Sequence, residues 1–489
     1  MTKHRASKKS RKKKPVSHNS PIDKPTRKVS LFLFGIIFCV AIVVVFITIS
    51  LLVTVNRSQS SRKLSQTNIY SDSPKKSDQA SPPTEPNLTV EQKVDALKAE
   101  DMQLAQQLLK DFPRNDVTLA FVGSLYRQHG NNTEAVKLLN EALALNPNRA
   151  DVYNALGGIA FTMGSYEEAI VYLSKALEID TGQPGFRSSI AFSLMALGRY
   201  TEAIEQLKDN VNIFPESVYS HFLLGQAYLQ QRKYDDAREH YLTAIKLDQN
   251  YVSAYYGLFT ACSRLGRQEE ADKYMAVFKK QKAEEMKAAK TRDKLYDDLV
   301  LMRKTAGENY IFAARIYQAG GRVEKAKELL LKAVTLDPKE PIYLTELAGL
   351  YSATNRPAEA LKIYKKISEI EPQNPAFFFN VGVLSVILKR FDDAEEAFRN
   401  VIKLAPEDSR GYRELGWFYL SSKKSYAQAR QLAEKAVELE NTADNYYLLA
   451  CACEMDGDNT NALKAAERAV QLDPENAEYK KIYQRIKNR

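Results

Sequence analysis

Five alanines, Ala135, Ala169, Ala203, Ala237 and Ala271, stand 34 residues apart, and Ala326, Ala360, Ala394, Ala429 and Ala462 continue the series at steps of 34, 34, 35 and 33. A period held over that length rules out a fold wrapped once around a single core. Each unit meets the same surroundings as the next, so the chain must stack copies of one element. The unit from Asp151 to Asp180 shows what the element is. Tyr153, Leu156, Gly157 and Ala160 recur at i, i+3, i+4 and i+7, and Ala169, Ile170, Leu173, Ala176 and Leu177 form a second stripe of the same period. These are two helices, each apolar on one side. Gly164 between them suits a left-handed turn, and Ser165 with Glu168 has the spacing of a capping box. A pair this short buries both stripes only against neighbouring pairs.

Two further series share the register. Pro147, Pro215, Pro338, Pro372, Pro406 and Pro474 follow the second helices and turn the chain into the next unit. Gly123, Gly157, Ala191, Gly225, Ala314, Ala348 and Gly382 lie twelve before the alanine, where facing helices must approach closely. This joint register resembles the tetratricopeptide repeat family from roughly Asp116 to Asn476. Thr181 and Gln249 replace the proline, and the family's tryptophan near the start of the first helix is missing at that place. The resemblance implies an all-α fold, a right-handed superhelical solenoid of about ten helix-turn-helix units. It also implies a concave face lined by places two, five, nine and twelve of each unit. Here those places include Phe161, Phe192, Met195, Tyr219, Phe222 and Tyr256, then Phe379, Val383, Trp417 and Tyr447. So apolar a groove suits a helical or extended hydrophobic peptide of a partner protein. The alternative is that these side chains only thicken the core.

The amino-terminal region is different in kind. The 489 residues carry a formal charge of +10, and residues 1–30 account for it, with eleven basic side chains against Asp23 alone, 11 − 1 = +10. The remainder is neutral, which argues against nucleic acid as a partner of the repeats. Leu31 to Val53 is 23 residues without a charge, about 34 Å as a helix, and predicts a transmembrane anchor. The basic tail before it predicts a cytoplasmic amino terminus, an extracytoplasmic (periplasmic) body and a possible contact with anionic lipid. Residues 54–88, rich in Ser, Lys and Pro, predict a disordered linker. Residues 89–115 predict a helix that caps the open end, 116–278 five repeats, 307–476 five more, and 477–489 a carboxy-terminal cap. The interval from Ala271 to Ala326 is 55 residues, 34 + 21, and residues 279–306, with the narrow stripe Leu295, Leu299 and Met302, predict an inserted, solvated helical spacer.

Nothing in the sequence assembles into a catalytic, cofactor or metal site. His129, His221 and His240 fall in different repeats, and no HExxH, G-x-S-x-G or phosphate-binding glycine loop occurs. Glu167/Glu168, Asp235/Asp236, Glu269/Glu270 and Asp392/Asp393 open second helices, where they complement the helix dipole. Cys262, Cys451 and Cys453 read as small core residues. Asn87 and Asn131 begin glycosylation acceptor triplets, of use only in a eukaryotic secretory pathway. Two groove chemistries known in the family are absent. The basic clamp for chaperone tails is replaced by Ala120, Ser124, Ala155, Gly185 and Ser189, and the asparagine ladder of O-GlcNAc transferases survives only at Asn380. The sequence therefore predicts no enzyme but a membrane-anchored scaffold for protein partners. The alternative is an accessory that presents a substrate to an envelope enzyme or secretion machine.

Overall fold

The computed structural model describes residues 88–291 and 294–488. The basic tail, the anchor Leu31 to Val53 and nearly all of the linker lie outside the described residues. Among those described there are 22 helices and no strand. They are α1 (Val90–Asp111), α2 (Asp116–Gln128), α3 (Asn132–Leu145), α4 (Ala150–Thr162), α5 (Tyr166–Ile179), α6 (Pro184–Ala196), α7 (Tyr200–Ile213), α8 (Val218–Gln230), α9 (Tyr234–Leu247), α10 (Val252–Arg264) and α11 (Gln268–Thr291). The series continues with α12 (Lys294–Ala319), α13 (Val323–Leu336), α14 (Pro341–Ala353), α15 (Pro357–Ile370), α16 (Pro375–Ile387), α17 (Phe391–Leu404), α18 (Ser409–Ser421), α19 (Tyr426–Leu439), α20 (Ala443–Asp456), α21 (Asn459–Leu472) and α22 (Ala477–Lys487).

From α2 to α21 the helices pair as hairpins, and within each set of five each hairpin packs on the next. All ten register alanines are fully buried at 0% exposure, because each sits where its helix crosses its partner. Twelve residues earlier the partner demands a small side chain. A Cβ added to Gly157 would stand 2.8 Å from Leu173 Cγ, and one added to Gly225 would stand 2.6 Å from the Tyr241 ring. The turns are equally uniform. One left-handed residue occupies each of the ten turns, glycine at six and Arg232, Asn355, Lys389 and Lys423 at four.

Ser165 departs from expectation. Its side chain makes no cap hydrogen bond. The backbone does the work instead, since the Ser165 N–H donates to the Ala160 carbonyl at 2.9 Å and its own carbonyl accepts from Ala169 N–H at 2.9 Å. Closing the first helix leaves the side chain out of reach of the second.

The larger correction concerns α1. It closes no free end, because α12 packs along it and α2 packs on it as well. Contacts run in step, Glu100 with Tyr310, Asp101 with Asn309 and Asp111 with Tyr317, so α1 and α12 lie parallel. One apolar core continues from α1 through the first repeats into α12, α13 and α14. Residues 298–306 of α12 are not wholly solvated either. Leu299 and Ala306 are buried, and with Met302 they meet Val90, Val94 and Leu97 of α1. The two sets of five hairpins are thus two arrays that both begin at α1.

Candidate binding surface

Each complete first helix buries one stripe against its own partner and the preceding hairpin, and leaves a second stripe on the groove side. In the first array Phe161, Phe192, Met195 and Phe222 are half-buried and lean on the core beneath them. Tyr219 and Tyr256 are 43% and 51% exposed. In the second array Phe379, Val383, Trp417 and Tyr447 are half-buried. The rings are not isolated. Phe161 meets Phe192 edge-on at 5.3 Å, and Phe222 meets Tyr251 at 5.1 Å. Tyr256 meets Phe278 at 5.3 Å, Phe379 meets Phe398 at 6.2 Å, and Trp417, Tyr447 and Tyr479 follow one another at 5.4 and 5.1 Å. Rings within a hairpin and from successive hairpins therefore support one another.

Tyr251 and Phe278 were not singled out from sequence, and Tyr479 only as part of the carboxy-terminal cap, because all three lie outside the four groove places and reach the row through their ring partners. Nor were Phe121 and Phe312, first-helix residues of the two arrays that stack at 4.5 Å beside α1. Their separation along the chain hides that contact from any local pattern.

Polar groups beneath the rows are held in specific pairs. Ser220 Oγ lies 3.0 Å from Ser188 Oγ and accepts from Asn210 Nδ2 at 2.7 Å. His221 Nε2 lies 3.1 Å from the Pro215 carbonyl, which can only accept, so that nitrogen carries the proton. His221 Nδ1 is then the acceptor for His240 Nδ1–H at 3.2 Å. Burial, with His221 adjacent, holds His240 below the usual imidazole range. In the second array Arg315 pairs with Glu346 at 2.5 Å, and burial pushes the Glu414 carboxyl up although Arg413 Nε lies 3.2 Å away.

Burial pushes the Cys451 thiol up to about 12 and the Cys453 thiol to about 11, so neither is a thiolate near neutrality. Among the described residues no group of three His, Cys, Asp or Glu side chains is placed to hold a metal.

Known protein families agree with the helix pattern. Descriptions reading "TPR repeat" and "Tetratricopeptide repeat" match residues 123–164, 222–274, 317–378, 388–446 and 443–476. These are tetratricopeptide repeats. The family described as anaphase-promoting complex, cyclosome, subunit 3 also matches, over residues 162–245 of the same array. Among solved structures, the repeats are similar to a crystal structure of MamA, 25% identical, covering 34% of this chain and 96% of that one with a TM-score of 0.32. YrrB, titled a TPR protein with an unusual peptide-binding site, is 18% identical and covers 37% and 91% with a TM-score of 0.32. Yeast Tom70 is 14% identical and covers 76% and 95% with a TM-score of 0.31. Scores this low leave the assignment resting on the repeats themselves. No curated protein matches the chain.

Among the described residues no helix is long and apolar enough to cross a membrane. The segment Leu31 to Val53 is outside them.

Proposed function

We propose that the chain is a protein-interaction scaffold whose tetratricopeptide grooves hold helical or extended apolar segments of partner proteins, and that Leu31 to Val53 anchors it in a bacterial inner membrane with the repeats outside the cytoplasm. The observation that carries the binding role is the row of half-exposed rings along first helices, Phe161, Phe192, Phe222 and Tyr256 in one array and Phe379, Trp417 and Tyr447 in the other. Half-buried aromatics supported from behind are the residues that act as anchors, each worth upward of about 2 kcal/mol in a buried interface. The anchor and its orientation rest on the uncharged 23-residue segment and the basic side chains before it.

Replacing Phe192 and Phe222 together by Ser tests the groove. Partner capture after crosslinking in intact cells should fall at least about 30-fold, the equivalent of about 2 kcal/mol, while the circular dichroism of the helices is unchanged. Retained capture, or capture lost only together with helicity, overturns the groove reading. Protease added to spheroplasts tests the anchor, because it should digest the repeats and spare the tail.

A further inference from the structure

The fourth hairpin of the first array carries a titrating contact beside a groove ring. His221 and Phe222 are neighbours on α8, and they meet His240 and Tyr241, neighbours on α9. Phe222 belongs to the groove row. Beneath it Tyr241 is 1% exposed and fills the space between α8 and α10, where a Cβ added to Gly225 would stand 2.6 Å from its ring and one added to Gly257 would overlap it. A ring gripped that closely has no room to turn alone, so a change in how α9 lies on α8 is passed on to Phe222.

The histidine contact accepts one added proton but not two. The Pro215 carbonyl keeps a proton on His221 Nε2, and His240 Nδ1–H donates to His221 Nδ1 at 3.2 Å. A first added proton goes to His240 Nε2 and leaves that bond in place. A second has only His221 Nδ1 to bind, where it would set two N–H groups and two cations face to face. Little nearby offsets them. α8 has no Lys, Arg, Asp or Glu, and the one such residue of α10 is Arg264 at its last place. Asp236 and Glu239 of α9 are exposed, and Lys208 of α7 and Lys233 each stand 5.9 Å from the centre of the Tyr228 ring on which His240 stacks. Burial first, and then His221, holds His240 below the usual imidazole range.

We propose that the His221–His240 pair is a pH switch on the first groove, keeping an apolar segment bound near neutrality and releasing it in acid. This rests on the groove being the binding site. Once α9 has shifted off α8, each imidazole is free to take up its proton at about pH 6.5. The packed pair binds fewer protons, so it is favoured above that pH and gives way as the pH falls below it. Giving way moves Tyr241, and the support of Phe222 goes with it.

The test uses the full-length chain in lipid nanodiscs and a rhodamine-labelled helical peptide of Leu, Ala and Gln, which has no titrating side chain. Fluorescence anisotropy should show binding at pH 7.5 and at least about tenfold weaker binding at pH 5.0, the scale of one proton taken up over more than a pH unit, with the helical circular dichroism unchanged. His240→Phe, which keeps a ring on Tyr228, and His240→Gln, which keeps a donor to His221 Nδ1, should each bind equally at both pH values. In fluorine NMR, 4-fluorophenylalanine in place of Phe222 should shift across the same range, and in place of Phe379 in the second array it should not. Binding independent of pH, a fall shared by both His240 variants, a fall that only follows loss of helicity, or a label at Phe222 that stays still overturns the switch and leaves the groove intact. No binding at pH 7.5, or binding kept by the Phe192→Ser, Phe222→Ser variant, overturns the groove reading and the switch with it.

Discussion

Stacking between hairpins and the junction at α1 solve the same burial problem by different means. Within an array the contacts are local, apolar and monotonous, an alanine or glycine on one helix under a leucine or ring on the next. At the junction two parallel helices about 200 residues apart in sequence are held by named polar pairs. Tyr317 donates to Asp111 at 2.7 Å, Arg322 pairs with Asp111 at 2.7 Å, and Asp101 accepts from both Asn309 and His129 at 3.1 Å. The Tyr317 hydroxyl above all holds the Asp111 carboxyl down to about 2, whereas burial pushes Asp101 up. The difference has a physical reason. A hairpin stack takes its register from chain connectivity, so apolar packing is enough. Two helices brought together across that much chain have no such guide, and apolar stripes alone would let them slide by a turn. Directional hydrogen bonds to carboxylates set the register.

The strongest way to break this contrast is to cut one large apolar side chain from each region. Leu108 on α1 and Leu207 on α7 are both 0% exposed, so Leu→Ala should cost about 2–5 kcal/mol at either. The consequences should differ. Because the stability of a repeat array is a sum over neighbours, Leu207→Ala should lower only the first array's share of the guanidinium transition. Leu108→Ala should uncouple the arrays and split the melt into two transitions. A single shifted transition in the Leu108 variant would show that direct contacts between the arrays, such as the Phe121–Phe312 stack, hold them together without Leu108.

That contrast also explains what the sequence could show. The period, the buried alanines, the small residues beneath Leu173 and Tyr241 and the left-handed Gly164 were legible, because each expresses a contact between neighbours repeated ten times. The junction was not. Nothing local marks Glu100, Asp101 or Asp111 as a carboxylate that will meet a tyrosine or an asparagine two hundred residues later. The groove rings were legible as places on a helix, but their support by Tyr251, Phe278 and Tyr479 was not, since ring pairs depend on how successive hairpins are rotated.

A smaller effect should separate the regions by pH. His240 lies against His221, is stacked on Tyr228 with an interplanar angle of 3°, and has Glu239, Asp236 and Lys208 nearby. Its folded pKa is lowered, so the fold favours the neutral ring. The stability this contributes is present above the unfolded value of about 6.5 and is lost as pH falls below it. Acidification from pH 7.5 to 5.5 should therefore weaken the first array. The variant His240→Phe, which keeps the ring on Tyr228, should lose that dependence. An unchanged pH profile in the variant would place the sensitivity elsewhere, with buried Asp101 at the junction the next group to replace.

The smallest expected effect sharpens the monotony of the stack itself. All ten turns use one left-handed residue, and the turn is the same whether that residue is Gly164, at φ 78°, or Lys389, at φ 57°. A side chain with a Cβ loses about 1–2 kcal/mol in this conformation, and glycine gives back about 0.5–1 kcal/mol through the freedom of the unfolded chain. Arg232→Gly and Lys389→Gly should each stabilise by about 0.5 kcal/mol, the difference of those two terms. Asn355→Gly should be close to neutral, because asparagine tolerates the left-handed region. Chemical denaturation of the three variants side by side reads the order. If stacking imposes the turn, the gain follows the backbone cost of the residue removed. If instead Arg232 or Lys389 holds its turn through a side-chain contact, the glycine variants will be less stable, and the turn belongs to the residue after all.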